Sequence, residues 1–214
     1  MNDTKREPDV AVGPYLPGRS AAVDASPESL SKHQRIMDAA LELFAMRGYQ
    51  ATTVPEIAKA AGVATGTIYR YFDTKEDLLN TLYQRWRGHF NDSLLASAPA
   101  GLSLEGAFGL IWRRMIGWMR DYPLQAIFLE QHYLKPFLND ESQKHDGVYI
   151  AGAEALVEAA IDAGEMRPMP RGLVTAMVWG TAVGMAKLDH SGNMVLDDAA
   201  IRQAEKNLWD AVKA

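Results

Sequence analysis

IMDAALELFAMRGYQATTVPEIAKAAGVATGTIYRYFDTKEDLL, residues 36 to 79, sets out three helices separated by two glycines and decides the fold. Ile36, Ala39, Ala40, Leu43 and Phe44 recur at the spacing of one helical face, and Gly48 ends that run. Upstream, Ser31 and Gln34 have capping-box spacing, which predicts that ordered structure begins near Ser31. Thr53 and Glu56 repeat the same signal, with Pro55 in a first turn where a missing N–H costs nothing. Ile57, Ala58 and Ala61 face inward, and Gly62 stops the second helix with a residue that tolerates positive φ. A short third helix is predicted over 65–71. Thr74 and Asp77 then open a fourth, whose Leu78, Leu79, Leu82, Tyr83, Trp86 and Phe90 form a wide apolar stripe.

Two short helices joined by a glycine turn place the second across a DNA major groove. Gly66 removes a Cβ near the start of that helix, so its unpaired N–H groups can approach a phosphate. Thr65 and Thr67 are short hydroxyls suited to a phosphate or a base edge, although Thr65 could equally serve as a local cap. Arg70 is the candidate for base discrimination, since a guanidinium can bond both acceptors of guanine; a phosphate is its alternative partner. Lys75 and the helix start at Thr53 are expected to hold flanking phosphates. Ile68 and Phe72 are expected to fill the small core.

The same stretch resembles the TetR family of one-component regulators. The resemblance rests on Ile36, Ala39, Ala40, Leu43 and Phe44, then Gly48-Tyr49, Thr52-Thr53, Glu56-Ile57-Ala58, Ala61-Gly62-Val63, Gly66-Thr67-Ile68-Tyr69, Tyr71-Phe72 and Lys75-Glu76-Asp77-Leu78-Leu79. It implies an N-terminal three-helix DNA-binding domain followed by a helical ligand-binding and dimerisation domain, about nine helices in all. It also implies that Tyr69 and Tyr71 meet the DNA backbone and base edges, with partial core packing as the other reading of Tyr69.

Outward from this stretch, residues 1–28 carry Pro8, Pro14, Pro17 and Pro27 without helical periodicity and read as a disordered tail, in which Lys5, Arg6 and Arg19 could form a minor-groove arm. The DNA-binding domain is placed at 29–75 and the larger domain at 76–214. Five further helices are expected at 103–120, 123–136, 140–163, 171–188 and 197–213, with proline and glycine breaks between them and no strand signal. The fold class is therefore all-α.

The net charge of -5 runs against DNA binding until it is divided by segment. Residues 31–90 hold eight basic against six acidic side chains, whereas both flanks are acidic, so one segment alone suits phosphate. There is no cysteine, which removes disulfides, thiolate chemistry and cysteine-ligated zinc. The longest uncharged run, Gly172 to Ala186, is too short to cross a bilayer, and the N-terminus lacks the apolar core of a secretory signal. No membrane association and a cytoplasmic location are expected.

A lone helix-turn-helix makes few contacts, so a homodimer on double-stranded operator DNA is expected. Leu173, Met177, Gly180, Val183 and Gly184 on one helix, with Ile201, Ala204, Leu208 and Val212 on the next, are the interface that the resemblance implies; intrachain packing is the alternative. Phe108, Trp112, Met115, Met119, Phe128 and Trp179, with Gln131 and His132 nearby, suggest an adaptable apolar pocket for a small-molecule effector, an inducer that frees a repressor from its operator. No catalytic set, metal site or cofactor is expected: Glu130 and His132 do not share a helix face, and His145-Asp146 and Asp189-His190 are adjacent pairs. The competing reading is a helical adaptor that has lost specific DNA binding.

Overall fold

The computed structural model describes residues 27–97 and 99–214, and within them the chain is all-helical. In order the elements are α1 Pro27–Arg47, α2 Val54–Ala61, α3 Thr65–Ile68, α4 Lys75–Leu95, α5 Leu104–Asp121, α6 Pro123–Leu129, α7 Asp140–Asp162, α8 Arg171–His190 and α9 Asp198–Val212. A 3₁₀ turn, His132–Phe137, follows α6. The predicted tail and its basic arm lie outside the described residues, apart from Pro27 and Glu28, which begin α1. That helix therefore starts ahead of Ser31, with proline in its first turn, where the ring is tolerated.

Three other boundaries differ from the sequence reading. The third helix stops at Ile68, and Tyr69 to Phe72 continue as tight turns in which Tyr71 N–H and Phe72 N–H both bond the Ile68 carbonyl at 2.9 and 3.0 Å. The helix expected over 123–136 breaks after Leu129, and the chain tightens into the 3₁₀ turn that contains Pro136, whose ring cannot sit in an α-helical interior. The eighth helix runs on to His190. Local capping explains the sharp starts. Thr74 Oγ1 accepts from Asp77 N–H at 3.0 Å, Ser103 Oγ from Gly106 N–H at 3.1 Å, Asn139 Oδ1 from Ser142 N–H at 2.9 Å and Asp197 Oδ1 from Ala200 N–H at 2.8 Å.

The main core runs from α1 (Ile36, Phe44) through α4 (Leu79, Phe90) to α5 and α6 (Trp112, Phe128), all essentially inaccessible. A smaller apolar cluster occupies the far end: Val157, Ala160, Met166, Val174, Trp209 and Val212. That end is fastened by the segment after α7. Arg167 N–H bonds the Val212 carbonyl at 2.8 Å, and its guanidinium donates to the carbonyls of Lys213 at 2.7 Å and Asp210 at 3.3 Å.

Two polar joints fasten the segment after α6 to the helices that precede it. Gln131 Nε2 donates to the Phe44 and Ala45 carbonyls at 3.0 and 3.1 Å, satisfying the end of α1, whose last carbonyls have no partner within the helix. Asn80, buried in α4, donates to the Phe137 carbonyl at 3.0 Å and accepts from Asn139 N–H and Ser142 Oγ at 2.8 and 2.7 Å. The first joint links the stretch after α6 directly to α1, and the second fixes that stretch and the start of α7 against α4.

Candidate nucleic-acid interface

Glycine chemistry shapes the turn before α3. Gly62 takes φ 65° and ψ 39°, and the amides of Gly62 and Val63 return to the Lys59 and Ala58 carbonyls at 3.2 and 3.0 Å. A side chain at that φ would be strained, so glycine fixes the angle between α2 and α3. From there Ile68 and Phe72 turn inward and are buried, as expected, and their burial orients everything between them.

What remains outside is the surface singled out from sequence. Thr65, Gly66, Tyr69 and Arg70 are exposed and Thr67 is half-buried. A Cβ built on Gly66 meets nothing within 4 Å, so the protein's own packing does not require glycine there. Tyr69 is 53% exposed, which disfavours the reading of it as a core residue. Tyr71 is half-buried against the core, with the His33 ring edge-on at 5.6 Å.

Thr53 is exposed at the start of α2 with its hydroxyl already engaged: Oγ1 donates to Glu56 Oε2 at 2.7 Å while Thr53 N–H bonds the same oxygen at 2.8 Å. These bonds hold the Glu56 carboxyl below its usual pKa. Lys75 is already engaged within the protein. Its ammonium bonds the Tyr49 and Thr52 carbonyls, each at 2.9 Å, and sits 4.1 Å from the centre of the Tyr49 ring. These contacts pin α4 to the α1–α2 turn, where two carbonyls and an aromatic face are preformed. Burial, then the nearby Glu76 carboxylate, raises the Tyr49 hydroxyl to about 12, so it stays a neutral phenol.

Two residues on α1 belong to this surface and were not singled out from sequence. His33 stacks on Phe72 at 5.4 Å beneath the turn that carries Arg70, and burial, then Arg85, lowers its pKa. Arg35 is exposed, and its Nη1 lies 3.5 Å from a Cβ built on Gly62, beside the turn between the two short helices. Counting charge by segment hid Arg35. Its position on the helix face shared with Lys32 was the available signal.

The expected pocket divides into two cavities. One, of about 90 Å³, lies between α5, α7 and α8 and takes Phe108 and Trp112 into its walls. The other, of about 80 Å³, lies between α6 and the end of α8 and takes Met119, with Glu130, Lys187 and His190 at its edge. Met115 and Phe128 are fully buried core side chains that line neither, Trp179 packs edge-on against Phe90 at 5.6 Å, and Gln131 is committed to α1. The side chain of His132 lies outside the described residues.

The expected pairing face also changes. Ile201, Leu208 and Val212 are buried within the chain, because the period of α9 turns them onto α5 and the far-end cluster, and Val183 is buried likewise. Met177 and Ala204 are half-buried against the core. Leu173, Gly180 and Gly184 on α8 stay exposed, and a Cβ built on either glycine meets nothing within 4 Å. Among the described residues no group of three or more His, Asp or Glu side chains is placed to hold a metal, and no helix is long and apolar enough to cross a membrane.

Comparison with known proteins gives two profile matches: "Bacterial regulatory proteins, tetR family" over residues 36–86, and "Tetracyclin repressor-like, C-terminal domain" over residues 83–214. The chain is 51% identical over 59 residues to the fatty acid metabolism regulator protein of Bacillus subtilis (strain 168), a stretch covering 28% of this chain and 30% of that protein. The curated relative is thus matched over less than a third of its length. Among solved structures, the fatty acid degradation regulator FadR from Bacillus halodurans superposes with a TM-score of 0.66 at 26% identity, covering 83% of this chain and 94% of that one. A TetR family transcription regulator from Marinobacter aquaeolei VT8 has the same fold, with a TM-score of 0.75 at 24% identity and coverage of 87% and 97%.

Proposed function

Because the chain belongs to the TetR family of DNA-binding transcriptional regulators, we propose that it acts as a homodimeric repressor that leaves its operator when a small, mostly apolar effector binds the C-terminal domain. The observation that carries the DNA half of this reading is the open surface over Gly66. Gly66 and its neighbours Thr65, Tyr69 and Arg70 are exposed, while Ile68 and Phe72 anchor the same segment from below. A helix pays in propensity for glycine at such a place, and nothing inside the molecule claims the room it leaves.

In this reading Thr65, Gly66 and Thr67 meet the phosphate backbone or a base edge, Tyr69 and Tyr71 flank them, and Arg70 reads a base. Thr53 and Arg35 lie on phosphates to either side. Lys75 acts one step back, by holding α4 against the α1–α2 turn. Pairing through the open face of α8, with Leu173, Gly180 and Gly184 at its centre, supplies the second reading surface. The effector then needs only to favour a dimer whose two surfaces no longer match the spacing of the half-sites.

Titration of the DNA flanking its own coding sequence, at several salt concentrations, tests the proposal. Saturable binding with a steep salt slope is expected from the wild type, and loss of sequence preference from Arg70→Ala. Retardation that is weak and indifferent to sequence in both proteins would instead favour an adaptor.

A further inference from the structure

We infer that the effector is an uncharged, compact apolar molecule, about the size of one substituted ring, and that it seats in the cavity between α5, α7 and α8 rather than in the one beside α6. This rests on the effector reading above and narrows it to a chemical class and a place.

The walls supply the chemistry. From α5 come Phe108, Ile111 and Trp112; from α7, Ala153, Leu156 and Val157; from α8, Val174 and Val178. None carries a charge, and Met166 closes the end. Among the described lining residues Thr175 is the one hydroxyl, and it donates to its own helix, to the Arg171 carbonyl at 3.4 Å. The indole N–H of Trp112 is likewise engaged, with the Ile201 carbonyl at 3.0 Å. A carboxylate or ammonium placed here would give up part of its water and find no counter-charge among the described lining residues, a cost that apolar contact does not offset. The other cavity has the opposite character at its mouth, where Glu130 and Lys187 face each other at 4.0 Å and His190 stands beside them.

Position separates the two as well. The apolar cavity lies where the main core meets the far-end cluster, and Phe108 and Val178 pack against both. A ligand can enter at such a seam without opening either cluster. Val174 and Val178 lie on the same helix as Leu173, Gly180 and Gly184, so an occupant presses on α8 from beneath its exposed face. An occupant then acts on DNA through the relative placement of two subunits.

Toluene, benzoate and benzylamine form a size-matched neutral, anionic and cationic series, and methyl NMR of the full chain reports where each binds. Toluene should shift the resonances of Leu156, Val174 and Val178 and raise the thermal midpoint, with both charged isosteres at least about ten-fold weaker. Ala107→Leu and, from the opposite wall, Ala153→Leu should each remove toluene binding, whereas Ala186→Leu in the other cavity should leave it intact. Benzoate or benzylamine binding as tightly as toluene would overturn the class. Loss through Ala186→Leu alone would overturn the seat, and failure of toluene to bind would overturn both. Operator DNA challenged with a panel of charged metabolites separates this from the effector reading: release by a charged compound leaves that reading standing and ends this one.

Discussion

Arg70 and Lys75 are both cations near the reading turn, yet the structure gives them different surroundings and so different expected mutants. Arg70 is exposed, so Arg70→Ala should leave the thermal midpoint unchanged while flattening base preference at one position by about 1–3 kcal/mol. Competition with single-base operator variants measures that. Lys75 makes two carbonyl bonds and covers the Tyr49 ring, so Lys75→Ala should cost about 1–3 kcal/mol of stability by urea unfolding before any DNA is added. A midpoint equal to wild type would return Lys75 to the phosphate backbone. Gly66→Ala should go the other way, stabilising the free protein by about 0.5–1 kcal/mol while weakening operator binding, since its Cβ is tolerated by the protein and would stand between the helix and the duplex. Gain in both properties would mean that DNA does not approach there.

Elements respond to what lies between them. On α4, His89 Nδ1 accepts the indole N–H of Trp118 from α5 at 2.8 Å, which requires a neutral ring. Its pKa lies below 6.5, lowered by burial and by Arg85 against an opposing pull from Asp92, and that of His33 is lowered for a similar reason. In the folded protein both rings bind a proton less readily than in the unfolded chain. Their contribution is therefore fully present above pH 6.5 and is lost as the pH falls through the folded values. Urea midpoints between pH 8 and 5 should decline accordingly, and His89→Gln should reduce the slope; an unchanged slope would acquit the α4–α5 joint. The three N-terminal helices and the long α4 were legible in the sequence because caps, glycine stops and apolar spacing agreed there. The third helix was read too long because Tyr69 to Phe72 keep helical composition, while the backbone tightens at Ile68 to bury Phe72. The intramolecular roles of Lys75 and Gln131 were not legible in the sequence, for another reason. Their partners are backbone carbonyls far away in sequence, and no side-chain pattern announces a carbonyl.

At the scale of the molecule, apolar spacing on α8 and α9 revealed that both helices bury a face but not against which chain. Ile201 and Leu208 are buried within the chain, so under the proposed pairing its disruption is sought at Leu173 and the glycines above it. Leu173→Glu with Gly180→Arg should yield a monomer in sedimentation, with operator affinity reduced at least about ten-fold because one reading surface must bind alone; a dimer of wild-type mass would place the contact elsewhere. The far end of the molecule, by contrast, is shut by the segment that follows α7, with Arg167 as its side-chain clasp. Arg167 clasps the last turn of α9 over a small apolar cluster, so backbone amides of that turn should trade their protons for deuterium well before those of α4. Arg167→Ala should hasten the exchange there alone, marking this end as the part of the fold that breathes.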